Sequence, residues 1–324
     1  MQKLLRGVAV AVTTLALASA CGGTVDNPSG KEAGAKSGKV TVETARGKVT
    51  LPKAATKVVS LEWSYTEELL ALGVTPVGNA DNAGYGTWVT AGGAELPKGV
   101  ADVGTRQAPS LETIKNLKPD VIISDVDRLT ENFDALNDIA PVLAFQYTAS
   151  PQLENLGKTV KQIGVAVGKT DEADELMKKI DTAAADLSDK LQKAGKQGTT
   201  YALGQGFTAE GAASIRMFTD QSLAAQVLNL AGLKNAWTGK PDAWGMTTVG
   251  VEGLTGVGKG ASFLYVASEK DNPFTGALAK NQVWNGLEFV KGKRVYPLDS
   301  GTWVFGGPLS CVQLLEETGK ALKV

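Results

Sequence analysis

The sequence contains no histidine. That absence excludes a Ser-His-Asp or Cys-His catalytic set, the zinc sites built with imidazole and a histidine ligand to haem. Cysteine is nearly as scarce, with Cys21 and Cys311 the two. Neither sign of charge dominates, 33 basic residues standing against 34 acidic, so there is no electrostatic case for a nucleic-acid partner. Aromatics are only 6% of the 324 residues, which makes their positions informative. What remains is an ordinary globular mixture, 43% hydrophobic and 21% charged. It is long enough for two lobes of about 120–150 residues each.

Residues 1–20 read as an export signal. Lys3 and Arg6 form a basic start, and the apolar run Val8 to Ala20 is too short to span a bilayer. Cys21 follows Leu17-Ala18-Ser19-Ala20, a small-residue cleavage pattern that resembles a bacterial lipobox. The pattern predicts cleavage before Cys21 and lipid attachment to its thiol, with a plain secretory signal as the alternative. Cleavage would remove two of the 33 cations and leave Cys311 as the one free thiol. Cys311 lies among Leu309, Val312, Leu314 and Leu315, which predicts a buried structural thiol. Residues 21–38 are rich in Gly, Ser, Ala and Lys and read as a flexible tether.

The body alternates short apolar strands with amphipathic helices, which predicts α/β lobes with mainly parallel sheets. Lys57–Leu61, Val74–Gly78, Val121–Ser124 and Pro141–Phe145 read as strands of a lobe over 39–150. Glu62 to Tyr65 reads as a loop, with Thr66 capping the next helix. Helical periodicity runs from Pro151 to Val167 and from Asp171 to Ala194. The second run of 24 residues would be about 36 Å long, enough for a rigid strut over 151–196. Residues 197–324 repeat the strand and helix order and end on an amphipathic helix. An apolar-x-Glu-x-apolar phrase precedes a strand at Glu112 and again at Glu252, which points to two related lobes.

Two motifs mislead. Gly164 to Thr170 is one residue short of a phosphate loop and lies between two helices. Gly204-Gln205-Gly206 matches a loose dinucleotide pattern with no clean acidic residue about 20 positions on.

The informative residues read as lying in loops rather than at periodic core positions, with at least four of the six tryptophans at predicted strand ends, where open α/β sheets bind ligands. They are Trp63 and Tyr65 after the first strand, Tyr85 and Trp88 in a Gly-rich segment, and Arg106 in Val103-Gly104-Thr105-Arg106. In the second half they are Trp244 and Trp303, with Arg128 and Arg216 added from loop position alone. Aromatic walls with a few polar groups suit a small-molecule cleft. For any one tryptophan the competing reading is packing under a loop, and for Arg106 a surface ion pair.

The phrase DVGTRQAPSLETIKNLKPDVIIS, together with the lipobox and the lobe–helix–lobe order, resembles the substrate-binding lipoproteins of iron-siderophore ABC importers, most closely the ferric hydroxamate binders. That resemblance implies a class III periplasmic-binding-protein fold of two Rossmann-like lobes joined by a long rigid helix. It implies no enzymatic activity and no cofactor, the ligand being an Fe(III)-siderophore complex. Arg106 would bind hydroxamate oxygens, while Trp88, Trp244 and Trp303 would line the cleft. Met246 departs from the small hydroxyl residue common in that family. Glu112 and Glu252 would dock on the permease, although each also reads simply as an exposed acidic residue at a helix start. The implied partners are the permease and its ATPase. The protein would be an exported monomer anchored to the outer face of the cell membrane through Cys21. No metal ligand from the protein is implied, because the siderophore already fills the coordination sphere of the iron. A corrinoid, another metallophore, haem held by Tyr65 or Tyr85, an exported hydrolase and a purely structural surface protein stay open as alternatives. The hydrolase lacks both a histidine base and a Gly-x-Ser-x-Gly motif.

Overall fold

The structure is a computed structural model that describes residues 38–324. The expected signal segment, Cys21 and the tether up to residue 37 lie outside the described residues.

The N-terminal lobe opens with a hairpin of β1 (Val40–Thr44) and β2 (Gly47–Leu51). The chain then alternates through β3 (Val58–Ser60), α1 (Trp63–Ala71), β4 (Gly78–Asn79), α2 (Asn82–Trp88), β5 (Ala101–Asp102), α3 (Leu111–Leu117), β6 (Val121–Asp125), α4 (Phe133–Asn137) and β7 (Val142–Phe145). The five strands form an all-parallel sheet in the order β5-β4-β3-β6-β7. Strands β3, β6 and β7 are buried throughout, as their Val/Ile/Leu-rich sequences require of a sheet covered on both faces.

Two helices follow, α5 (Gln152–Val167) and α6 (Thr170–Lys193). Gly168 ends α5 in the left-handed conformation with φ of 72°, which breaks the segment into two packed helices. The apparent phosphate loop is this helix end.

The second lobe contains β8 (Thr200–Ala209), β9 (Ala212–Phe218), α7 (Leu223–Leu230), β10 (Lys234–Asn235), β11 (Met246–Val249), β12 (Ser262–Ala267), α8 (Gln282–Gly286), α9 (Glu288–Lys291), β13 (Val295–Pro297) and α10 (Pro308–Leu322). Its core order β10-β8-β12-β13 is parallel and matches β4-β3-β6-β7 of the first lobe. Glu112 and Glu252 stand exposed in the first turns that precede the equivalent strands β6 and β12. The second lobe differs by an antiparallel edge, β9 and β11, along β8.

One apolar cluster runs from the inner face of the first sheet through α5, α6, α7 and α10, and includes Val160, Leu176, Leu228 and Leu314. Helix α10 packs on α6 and α7 and reaches α1 of the first lobe. Glu67 on α1 strengthens that junction. Its carboxylate accepts hydrogen bonds from Gly307 N (2.9 Å), Ser310 N (2.7 Å) and Ser310 Oγ (2.6 Å) at the start of α10. Behind the cleft the two lobes therefore share one core.

Candidate ligand cleft

A cleft of about 320 Å³ opens between the lobes. That is at the lower end of the range for small-molecule sites, roughly 300–1,000 Å³. The first lobe contributes Glu62, Ser64, Arg106, Gln107, Asp125, Arg128 and Tyr147; the second contributes Arg216, Trp244, Met246, Trp303 and Phe305. In the first lobe these side chains follow the carboxyl ends of β3, β5, β6 and β7, where an open parallel sheet presents its loops.

Glu62 organises the polar wall. It caps α1, its Oε1 accepting from Trp63 N at 3.0 Å. The same oxygen accepts from Arg106 Nη1 at 2.7 Å, and its Oε2 accepts from Arg128 Nε at 3.1 Å. The guanidinium of Arg106 also lies 3.7 Å from the Trp63 ring centroid, in the geometry of a cation–π contact. The loop that presents Arg106 is pinned at Gly104. Its φ of 92° is left-handed, its N–H donates to Asp102 Oδ1 (2.8 Å) and its carbonyl accepts from Asp81 N (2.7 Å).

Asp125 closes the floor. It accepts from Tyr147 N (2.7 Å), Asp127 N (2.9 Å) and Tyr65 Oη (3.1 Å). Burial raises its pKa above the ordinary carboxylate value, and those three hydrogen bonds oppose the shift. Arg216 projects from β9 on the opposite wall. Its Nη1 donates to Gln205 Oε1 at 2.9 Å, and its guanidinium lies 4.6 Å from the Phe207 ring centroid. Burial lowers its pKa from the ordinary arginine value.

An aromatic ladder crosses the cleft. Trp303 stands 5.9 Å from Trp88, 5.3 Å from Trp63 and 5.2 Å from Phe305, centroid to centroid. Phe305 and Trp244 are 5.9 Å apart, and Trp244 and Tyr147 5.4 Å. All these spacings fall within the range for favourable ring pairs.

Of the nine residues expected to bind ligand, Arg106, Arg128, Arg216, Trp244 and Trp303 line the cleft. Trp63 and Trp88 stand behind that lining and support Arg106 and Trp303. Tyr65 and Tyr85 are corrections. Tyr65 is buried on α1, and its hydroxyl is committed to Asp125. Tyr85 is buried on α2, and its hydroxyl donates to Ala94 O at 2.7 Å. The segments expected as loops around both are helices, and Arg216 lies in a strand rather than a loop. Sequence reasoning missed Glu62, Ser64, Gln107, Asp125, Tyr147 and Phe305. The strand-end position that singled out Trp63 applies equally to Glu62, one residue earlier. No group of three or more Cys, Asp or Glu side chains among the described residues is placed to hold a metal ion.

The profile of the periplasmic binding protein family matches residues 58–302. Among characterised relatives, the Fe(3+) dicitrate-binding periplasmic protein FecB of Escherichia coli is 31% identical over 81% of this chain and 83% of its own. The iron(3+)-hydroxamate-binding protein FhuD of the same organism is 26% identical over 82% of this chain and 86% of its own. The crystal structure of Fe3+-Desferal-bound FhuD from Vibrio cholerae superposes with a TM-score of 0.72 at 28% identity. It covers 82% of this chain and 97% of that one. The fold is thus the class III arrangement of two α/β lobes on a helical backbone, its relatives are substrate-binding proteins rather than enzymes, and the chain belongs to the periplasmic binding protein family.

Proposed function

We propose that this chain captures a ferric siderophore in the cleft and delivers it to the permease and ATPase of an ABC importer. The observation that carries this reading is the aromatic ladder across both lobes, set against three guanidinium groups. Aromatic faces cover the apolar parts of a chelate, while guanidiniums donate charge-assisted hydrogen bonds to its oxygens. A ferric chelate needs no further ligand, so a site without histidine suits it. The names of the relatives point the same way, since they bind ferric citrate and ferric hydroxamate.

In the hydroxamate reading, Arg106 donates to hydroxamate oxygens while Trp244 and Trp303 flank the organic arms, Trp88 backing Trp303. A second reading, a citrate-like ferric carboxylate, is favoured by the three arginines on the cleft wall and by the relative named for dicitrate. Glu112 and Glu252, one exposed on each lobe, suit docking to basic residues of the permease. Export, a lipid on Cys21 and a monomeric state complete the proposal.

Tryptophan fluorescence of the full chain, titrated with ferric desferrioxamine B, ferric citrate, haemin and cobalamin, tests it. Saturable quenching by a ferric siderophore is expected, and Arg106→Ala should weaken it by roughly tenfold or more, the loss of a charge-assisted hydrogen bond. A stronger response to haemin or cobalamin would redirect the ligand class, and silence from all four would overturn the reading.

A further inference from the structure

We propose that Glu62 sets the charge preference of the cleft, and so decides which class of ferric chelate it accepts. The inference rests on the ferric-siderophore reading above. Three guanidiniums line the cleft, those of Arg106, Arg128 and Arg216. Glu62 engages two of them, one with each carboxylate oxygen, and its side chain is 9% exposed. The other carboxyl in the wall, Asp125, is occupied by two backbone N–H groups and the Tyr65 hydroxyl and makes no ion pair with the arginines. Glu62 is therefore the carboxylate that offsets the arginines.

Its placement gives it two effects of opposite sign on an anionic ligand. It holds Arg106 and Arg128 on one side of the cleft, with Arg106 also fixed against Trp63. Each guanidinium keeps further N–H donors for a ligand, because an arginine has five. At the same time its charge cancels part of the field that would attract an anion, and it competes for the same donors. A cation or a neutral chelate is tolerated beside Glu62, whereas a multiply charged anion must share the arginines with it. Purely structural service as the α1 cap would affect all ligands alike; the charge effect divides them by sign.

The experiment compares the full chain with Glu62→Gln and Glu62→Asp, using ferric desferrioxamine B as the cationic chelate and ferric citrate as the anionic one. Glutamine keeps an acceptor for Trp63 N and removes the charge. Aspartate keeps the charge and shortens the reach. Thermal melts establish that each variant is folded. In Glu62→Gln the ratio of the two Kd values should move toward citrate by on the order of tenfold at low salt, as expected for one charge near the ligand at intermediate dielectric. The shift should shrink as salt rises. Glu62→Asp should retain the wild-type ratio even if both affinities fall. Equal weakening of both chelates in Glu62→Gln, or an unchanged ratio, overturns the inference while leaving the receptor reading intact. A wild-type chain that binds neither chelate overturns both.

Discussion

At the scale of single residues, two adjacent glutamates on α1 show how partners decide the cost of a buried carboxyl. Glu67 and Glu68 are both almost fully buried. Glu67 receives three hydrogen bonds from the start of α10, whereas Oε2 of Glu68 receives none. Burial raises both pKa values, and the hydrogen bonds to Glu67 oppose its shift. Glu68 is raised well above the ordinary value by burial first and by the neighbouring Glu67 charge second. In the pH window between the unfolded and folded pKa values, the folded state binds the extra proton. Stability attributable to Glu68 is thus full below the ordinary carboxylate range and falls as pH rises from there to the raised folded pKa, by about 1.4 kcal/mol per pH unit. Glu68→Gln should remove that slope and leave the chain less sensitive to pH between acid and neutral conditions. Denaturant titrations at several pH values measure it, and an unchanged slope would show that Glu68 ionises freely in the folded state.

At the scale of elements, local propensity was overruled where a side chain from elsewhere needed room. The segment Asn82–Trp88 carries two glycines and reads as a loop, yet it folds as α2 with Asp81 capping Gly84 N at 3.0 Å. Gly84 is required by packing, since a Cβ there would stand 2.5 Å from the Trp63 ring. Alanine in a helix interior ordinarily gains up to about 1 kcal/mol over glycine. Here the overlap should win, and Gly84→Ala should destabilise the chain by about 1–3 kcal/mol. Displacing Trp63 should also disturb Arg106 and weaken ligand quenching. A thermal melt together with the fluorescence titration checks both effects. The start of α1 has a related explanation. Thr66 is a good cap by type, but its hydroxyl instead donates to Asn79 Oδ1 at 2.6 Å, and the longer Glu62 caps the helix four residues earlier.

At the scale of the whole molecule, the shared core makes the lobes one mechanical unit behind the cleft. Leu176 on α6 is 2% exposed and belongs to the cluster that joins both lobes. Leu176→Ala should cost about 2–5 kcal/mol, the usual range for a leucine truncated in a packed core. Both lobes should still unfold in one transition, seen by circular dichroism and tryptophan fluorescence together. Two separated transitions would show that the lobes are independent. The same continuity argues for small closure on ligand binding, since large rotations would tear apolar contacts between α1, α6 and α10.

The periodicities of the sequence were enough to determine the class of this fold. Alternating buried strands and helices, the two helical runs before residue 197 and the repeated glutamate phrase are local patterns, and each survives as an element or a boundary. Strand ends were equally legible, which is why Arg106, Trp244 and Trp303 could be expected on the wall of one cleft. Only the tertiary structure decided which neighbours of those residues turn inward. Tyr65 and Tyr85 look like cleft aromatics in sequence, but their hydroxyls are taken by Asp125 and by the Ala94 carbonyl. Glu62 looks like one more polar residue after a strand, yet it meets arginines 44 and 66 positions away. The physical reason is common to these cases: most buried polar groups find a partner, and the partner is set by where the chain returns in space rather than by the residues beside it.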